Sequence, residues 1–313
     1  MKGGKKIAVV IPCYKVKKQL GGVVQSLPDF VDFIIPVDDQ CPENSVKETL
    51  KSINSDKLHP VYHELNQGVG GAVISGYTRA IQLEADVIVK MDGDGQMNPT
   101  RIESLIEPLV ANRADYSKGN RFRDLKALRS MPTTRLIGNS GLSFLVKLAS
   151  GYWRTMDPTN GFTAIQATML AKLDLDKIAK RYFFESDMLI RLNILDAVVE
   201  DVSMPAFYGD EESSLSIGKV LGVFPFYLLK GFIKRLFYKY YLYDFNMASI
   251  YMLIGVPMLL WGMIFGLTKW YVNNQIGEIT PTGTVMLSIL PLILGTQLIL
   301  QAINIDIQST PTR

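Results

Sequence analysis

The sequence predicts an α/β domain, a mainly parallel sheet with helices on both faces, followed by a hairpin of two transmembrane helices. Three observations carry this. Over roughly the first two hundred residues, short continuous apolar runs alternate with polar segments of helical length, the pattern of strands buried on both faces. Residues 245–268 contain no charge, and neither do residues 279–305. Each stretch exceeds the about 20 apolar residues that cross a bilayer core, and two in succession with a short loop between them are not the pattern of a single buried helix.

The first run is residues 7–11. Basic residues 1–6 precede it, but the run is too short for a signal-peptide core and no cleavage site follows, so it reads as a buried strand of a domain that is not secreted. Residues 33–37, with Pro36 near the end, form a second strand, residues 61–63 a third and residues 86–91 a fourth. Residues 17–27, 45–54 and 71–83 have helical length between them. Residues 121–135 are polar and basic and read as a mobile loop. Residues 220–245 are aromatic-rich with interspersed cations. Lys230 and Lys234 share a face while Arg235 and Lys239 sit well round from them, which reads as juxtamembrane helices lying in the interface. The organisation expected is a domain over 1–215, an interfacial segment over 216–244 and the anchor over 245–313, with spans at about 245–268 and 280–305.

Composition limits the partners. Of the 313 residues 48% are hydrophobic, and the net charge of +3 is too small to argue for nucleic acid. Cys13 and Cys41 are the only cysteines, which is no disulfide framework and suits a reducing compartment. Lys230, Lys234, Arg235 and Lys239 precede the first span, whereas the loop between spans has only Lys269 and Glu278; positive residues stay inside, so the N-terminal domain is expected on the cytoplasmic side of the lipid bilayer.

In open α/β sheets ligands sit beyond the carboxyl ends of strands, and the residues there are the most chemically loaded of this chain. Met91-Asp92-Gly93-Asp94-Gly95-Gln96 directly follows a strand. Two carboxylates one residue apart on a loop of small residues suit a divalent cation shared with substrate phosphates, as Mg²⁺ or Mn²⁺ require. Asp92, Asp94, Gln96 and Glu103 also fall at positions 1, 3, 5 and 12 of a calcium loop, but Met97 stands where that loop needs glycine. A plain acidic turn is the third reading. Asp38 and Asp39 end the second strand, where an acid hydrogen-bonds a base or ribose, or caps a helix. Asn66-Gln67-Gly68-Val69-Gly70-Gly71-Ala72 follows the third; Gly68 and Gly70 fit a dinucleotide fingerprint, but Val73 occupies the third glycine position. These glycines read instead as places where backbone passes close to a ligand or a neighbouring strand. Arg121, Arg123, Arg129 and Arg135 suit phosphate oxygens or form a solvated basic loop. Asp157 precedes Pro158 and also reads as a turn residue. His59 and His63 stand isolated.

Together these motifs resemble the family 2 glycosyltransferases of the GT-A fold. Ile11-Pro12-Cys13-Tyr14 looks like that family's opening strand and nucleotide-contacting turn, Val37-Asp38-Asp39 like its base- and ribose-binding acids, Asn66 to Ala72 like its Asn-Gly-Gly-Ala segment, and Asp92-Gly93-Asp94 like its Asp-x-Asp, in order over roughly residues 5–210. Gln96, Arg121, Arg135 with Asn139 one turn on, and Asp157-Pro158-Thr159-Asn160-Gly161-Phe162 are similar to the polyisoprenyl-phosphate glycosyltransferases, the group of dolichol-phosphate mannose synthase. The resemblance implies a metal-dependent, inverting transfer from a UDP- or GDP-linked sugar to undecaprenyl phosphate, by a homo-oligomer in a bacterial inner membrane. Asp92, Asp94 and Gln96 would hold Mg²⁺ or Mn²⁺. Pro12, Tyr14, Asp38, Asp39, Gly68, Gly70 and Asp92 would bind the nucleotide-sugar. Asp94, Asp157, Arg121 and Arg135 form the catalytic set, and Arg121, Arg135 and Asn139 grip the acceptor phosphate.

Two features depart from the narrower group. Asn139 stands where serine is usual, and acidic residues 209–214 replace a basic stretch, with Lys219 late as a substitute. Transfer to a hydroxyl of a sugar or lipid is therefore the first alternative; it needs a general base, for which Asp187 is the candidate. Otherwise Glu185 is the family's Phe-Glu acid and Asp187 faces solvent on the next helix. A non-catalytic membrane subunit with a degenerate domain is the remaining alternative, which an intact Asp92, Asp94 and Gln96 argue against.

Overall fold

The computed structural model describes residues 1–53, 55–121, 133–204 and 217–313; the side chains of residues 133–137, 139 and 217–222 fall outside the description. The chain divides into two compact units, Met1–Arg235 with Pro311–Arg313, and Leu236–Thr310.

In the first unit the four apolar runs of the sequence are strands β1 (Ile7–Cys13), β2 (Phe33–Asp38), β3 (Val61–Tyr62) and β4 (Val87–Lys90). Three more, β5 (Tyr116–Asn120), β6 (Thr163–Gln166) and β7 (Val199–Ser203), complete a sheet of order β3-β2-β1-β4-β6-β5-β7. Among the described strands only β6 runs against the rest; β4 and β5 both pair with it antiparallel.

Alternation along the strands fills both faces. Ile7, Val9 and Ile11 of β1 and Val87 and Val89 of β4 pack against Leu20, Val23 and Val24 of α1 (Lys17–Gln25), Val46 of α2 (Ser45–Leu50) and Ile102, Leu105 and Leu109 of α4 (Ile102–Val110). Each such buried side chain contributes about 1.5–3 kcal/mol by leaving water. The opposite face carries Val10, on which Gly76 of α3 (Val69–Gln82) closes so tightly that a β-carbon there would overlap the valine methyl.

The strand order explains where the loaded residues meet. It reverses between β1 and β4, and a crevice opens beyond the carboxyl ends at such a switch point. Because β6 is antiparallel, its amino end lies at that same edge: Thr163 pairs with Lys90 of β4 and with Lys118 of β5. Asp92 after β4, Arg121 after β5 and the Asn160–Gly161–Phe162 turn before β6 therefore arrive together from distant parts of the sequence.

Further described helices are α5 (Thr133–Ser150), α6 (Ala167–Leu170), α7 (Phe184–Ile194) and α8 (Ile217–Phe237). The first unit extends past the 215 boundary drawn from the sequence, because α8 packs on it. Phe224, Leu228, Gly231 and Arg235 form the helix's buried stripe, and Gly231 leaves room for Ile190 of α7. Arg235, expected as a juxtamembrane cation, is 0% exposed. Its Nε donates to the Ala149 carbonyl at 3.0 Å and its Nη2 to the Leu148 carbonyl at 3.2 Å, so it satisfies the open carboxyl end of α5. The other side of α8 exposes Phe226, Leu229 and Ile233.

In the second unit, a π-helical stretch, Tyr238–Tyr243, leads to α9 (Met247–Gln275) and α10 (Thr282–Gln308), both long and apolar enough to cross a membrane. Both run past the spans read from the sequence, and Lys269 lies within α9, not in the loop. Asn246 opens α9 with a capping box to Ser249. Gly255 and Gly262 of α9 and Gly295 of α10 allow close helix contact, and Ser288 Oγ donates to the Gly262 carbonyl at 3.0 Å. Leu253, Trp261, Ile264, Leu267 and Trp270 stay exposed, unlike the side chains of a soluble core helix.

Candidate active site

A cleft of about 170 Å³ lies beyond the carboxyl ends of β4 and β5, beside the turn that enters β6. Asp92, Asp94 and Gln96 line it together with Arg101, Arg121 and Asn160. Acids and an amide thus share a cavity with two guanidinium groups, the arrangement for holding an anion and its counter-ion. Asp94 Oδ1 accepts from the Gln96 backbone N–H at 3.0 Å, which folds the acidic loop back on itself. Among the described residues no group of three or more His, Cys, Asp and Glu converges on a metal position. The donor set nevertheless fits a hard cation: two carboxylates and a side-chain amide on one cleft suit Mg²⁺ or Mn²⁺, which keep several positions for water and substrate phosphate.

Arg121 meets Asp157 through two parallel hydrogen bonds, Nε to Oδ2 at 2.7 Å and Nη2 to Oδ1 at 2.9 Å. The Arg121 side chain is 42% exposed while that of Asp157 is 1% exposed, so the pair joins a partly exposed cation to a buried anion. Asp157 has φ of 51°, and its turn is fastened from below: Lys118 Nζ donates to the carbonyls of Met156 and Asp157 at 2.7 and 2.6 Å. Asp201 accepts from Met156 N–H at 2.6 Å and from Asn120 Nδ2 at 2.8 Å. Burial works to raise the Asp157 pKa, but Arg121 and then Lys118 outweigh it and hold the carboxyl below its ordinary value. Burial pushes the Lys118 ammonium down. Arg135 and Asn139 lie on α5, but their side chains lie outside the described residues, as do Arg123, Arg129, Lys219 and residues 209–214.

Beneath the acidic loop sits a charge the sequence reading did not single out. Lys90, last residue of β4, is 1% exposed; its Nζ lies 2.8 Å from Asp92 Oδ1 and 3.4 Å from Glu185 Oε1 of α7. Burial opposes its charge, and the two carboxylates outweigh that and raise its pKa. Burial pushes the Glu185 carboxyl up, with Lys90 opposing. The signal for Lys90 was present: one ammonium in an apolar run bound for the core.

On the nucleotide side, Pro12 sits in β1, level with Val37 of β2, and Tyr14 just beyond is exposed. Asp38 accepts from Cys41 N–H at 2.7 Å in a local turn. Asp39 takes the Gln67 and Gly68 N–H groups, each at 2.8 Å, and His63 Nδ1 at 2.8 Å. His63 Nε2 continues to Ser75 Oγ at 2.8 Å. The isolated-looking His63 is thus a buried link that ties Asp39 to α3. The crowding at Gly68 and Gly70 comes from the backbone of Lys180 and Ala179, so their close approach is to the segment before α7 and not to a strand.

Asp187 is on the same helix as Glu185. It is not turned to solvent: its side chain is 13% exposed, and Oδ2 accepts from Ala179 N–H at 2.9 Å and Arg191 Nε at 2.8 Å. It does not line the cleft.

Comparison with known proteins agrees with this geometry. A family model described as Glycosyl transferase family 2 matches residues 8–174, more than half of the chain. The UDP-N-acetylglucosamine–dolichyl-phosphate N-acetylglucosaminyltransferase of Methanococcus voltae is 32% identical over 240 residues, covering 72% of this chain and 95% of that protein. The undecaprenyl-phosphate mannosyltransferase of Micrococcus luteus is 27% identical over 221 residues, covering 69% of this chain and 90% of that protein. Among solved structures, glucosyl-3-phosphoglycerate synthase of Mycobacterium tuberculosis, in complex with Mn²⁺, UDP-glucose and phosphoglyceric acid, shares the fold with a TM-score of 0.55 at 20% identity, over 75% of this chain and 80% of that one.

Proposed function

The chain belongs to glycosyl transferase family 2, and from that premise we propose that this glycosyltransferase moves a sugar from a nucleotide-sugar to a membrane polyisoprenyl phosphate, with undecaprenyl phosphate the first choice and dolichyl phosphate the second. The observation that carries the reading is the cleft itself, which Asp92, Asp94 and Gln96 line together with Arg121.

A bound Mg²⁺ or Mn²⁺ would supply neutralising charge to the diphosphate leaving group, held by Asp92, Asp94 and Gln96. Arg121 is oriented by Asp157 through its Nε–Nη2 edge, and the guanidinium charge held in this way at the cleft suits phosphate oxygens. The acceptor phosphate oxygen forms the new bond to the anomeric carbon, the bond to the diphosphate breaks, and the nucleoside diphosphate leaves with its electron pair. A phosphate nucleophile is already ionised and needs no base. That suits the carboxylates here, since Asp157 is held below its ordinary pKa by Arg121 and Asp187 is committed to Arg191 and Ala179. The alternative of a hydroxyl acceptor, with Asp187 as base, has no such support.

The two apolar helices and the outward apolar side of α8 support catalysis at a membrane surface. Lys230, Lys234 and Lys239, close before the first apolar helix in sequence, support a catalytic unit on the cytoplasmic side. Nucleoside-diphosphate release by the purified protein, across a panel of UDP- and GDP-sugars with and without each lipid phosphate, tests the reading. Release that requires a lipid phosphate supports it; release indifferent to the lipid moves the acceptor to a hydroxyl, and no release with any donor favours a non-catalytic subunit.

A further inference from the structure

Lys90 is a costly residue for its place. It ends a central strand whose other side chains are core, and a charge there is tolerated only when it is paired. Three elements close around its ammonium. Asp92 comes from the loop after β4, Glu185 from the first turn of α7, and Gly161 from the turn before β6, where a β-carbon would overlap Lys90 Nζ.

The two carboxylates are not equivalent. Glu185 is the more distant at 3.4 Å, is 16% exposed and does not line the cleft, while Asp92 is at 2.8 Å and does line it. Lys90 takes Asp92 by Oδ1, which leaves Oδ2 beside Gly161, itself part of the cleft wall. A hydrogen bond from a fully enclosed ammonium fixes the carboxylate's rotation in a way that a bulk counter-ion does not.

We infer that Lys90 is a positioning residue for the donor site: it holds Asp92 in one orientation, with one oxygen committed below and the other kept for the diphosphate side of the cleft. Glu185 balances the remaining charge. The inference rests on the proposed function, because it assigns Asp92 to the donor.

The full-length protein in detergent tests this with Lys90→Met, Glu185→Gln and the double variant. The readouts are the thermal midpoint, the donor KM against kcat, and calorimetric binding of UDP or GDP with Mn²⁺. Lys90→Met should lose stability and raise the donor KM at least tenfold. Glu185→Gln should leave KM within about threefold, since Lys90 still holds Asp92. The double variant carries no glutamate left without its ammonium, so it should recover stability but keep the raised KM and the weakened nucleotide binding. If Lys90 only neutralises Glu185, the double variant recovers KM and binding as well, and the inference is overturned. The double variant carries that test alone if Lys90→Met does not fold. A native protein that binds neither nucleotide overturns the proposed function and this inference together, whereas a native protein that binds, beside a double variant that binds equally well, overturns the inference alone.

Discussion

Arg121 and Asp157 face each other fork to fork, with Nε and Nη2 of the one on Oδ2 and Oδ1 of the other at 2.7 and 2.9 Å. The carboxylate is buried and the guanidinium reaches into the cleft, so the pair stores an aimed cation beside Asp92 and Asp94. Replacing Arg121 by Ala should lower kcat/KM for transfer by about 10²–10³-fold, as for loss of one preorganised charge-stabilising donor. Arg121→Lys keeps the charge but not the fork and should recover less than a tenth of the native rate. Steady-state kinetics on the two variants checks both.

Asp157 also predicts how stability responds to acid. Its native pKa is depressed, so it contributes stability that is present above the unfolded aspartate value of about 3.9 and is lost as pH falls through the native value. Thermal midpoints measured from neutral to acidic pH should fall less steeply in Asp157→Asn than in the native protein. The variant should also be less stable at neutral pH, where Arg121 loses its partner.

Gly161 is a position at which a single methyl should be felt in stability and in turnover together. A β-carbon there would overlap Lys90 Nζ and come within 3.1 Å of Asp92 Oδ2. Gly161→Ala should cost about 1–3 kcal/mol of stability through overpacking and should reduce turnover as well, because the displaced groups belong to the site. Denaturant unfolding beside an activity assay measures the two effects.

Arg235 makes a separate claim about the fold. It is enclosed by the end of α5, donating to the Leu148 and Ala149 carbonyls. Arg235→Ala leaves those carbonyls without their donor and should destabilise the first unit by about 2–4 kcal/mol, with no change in donor KM among the molecules that remain folded. A surface juxtamembrane cation would give no such loss.

The first half of the sheet was legible because β1, β2 and β4 are continuous apolar runs. The second half was not. β5 contains Lys118 and Asn120 and β7 contains Glu200 and Asp201, polar residues that look solvated in sequence. Glu200 is partly exposed and faces Arg113, while Lys118, Asn120 and Asp201 are tolerated because they meet across the sheet, Asn120 to Asp201 at 2.8 Å and Lys118 to Asp201 at 3.7 Å, over a separation that local pattern does not register. The same limit hid His63, whose partners Asp39 and Ser75 lie far along the chain. Asp92, Asp94 and Arg121 were legible because their chemistry is dense and follows strand ends. Arg235 was misread because a cation next to an apolar stretch has the same composition whether it touches lipid or caps a helix.

The most direct test of the account is nucleoside-diphosphate release by the native protein and by Asp94→Ala, with Mn²⁺ or Mg²⁺, in the presence and absence of a polyisoprenyl phosphate. Release should depend on the lipid phosphate and be lost in the variant. Release of equal rate without the lipid phosphate, or undiminished in Asp94→Ala, would contradict it.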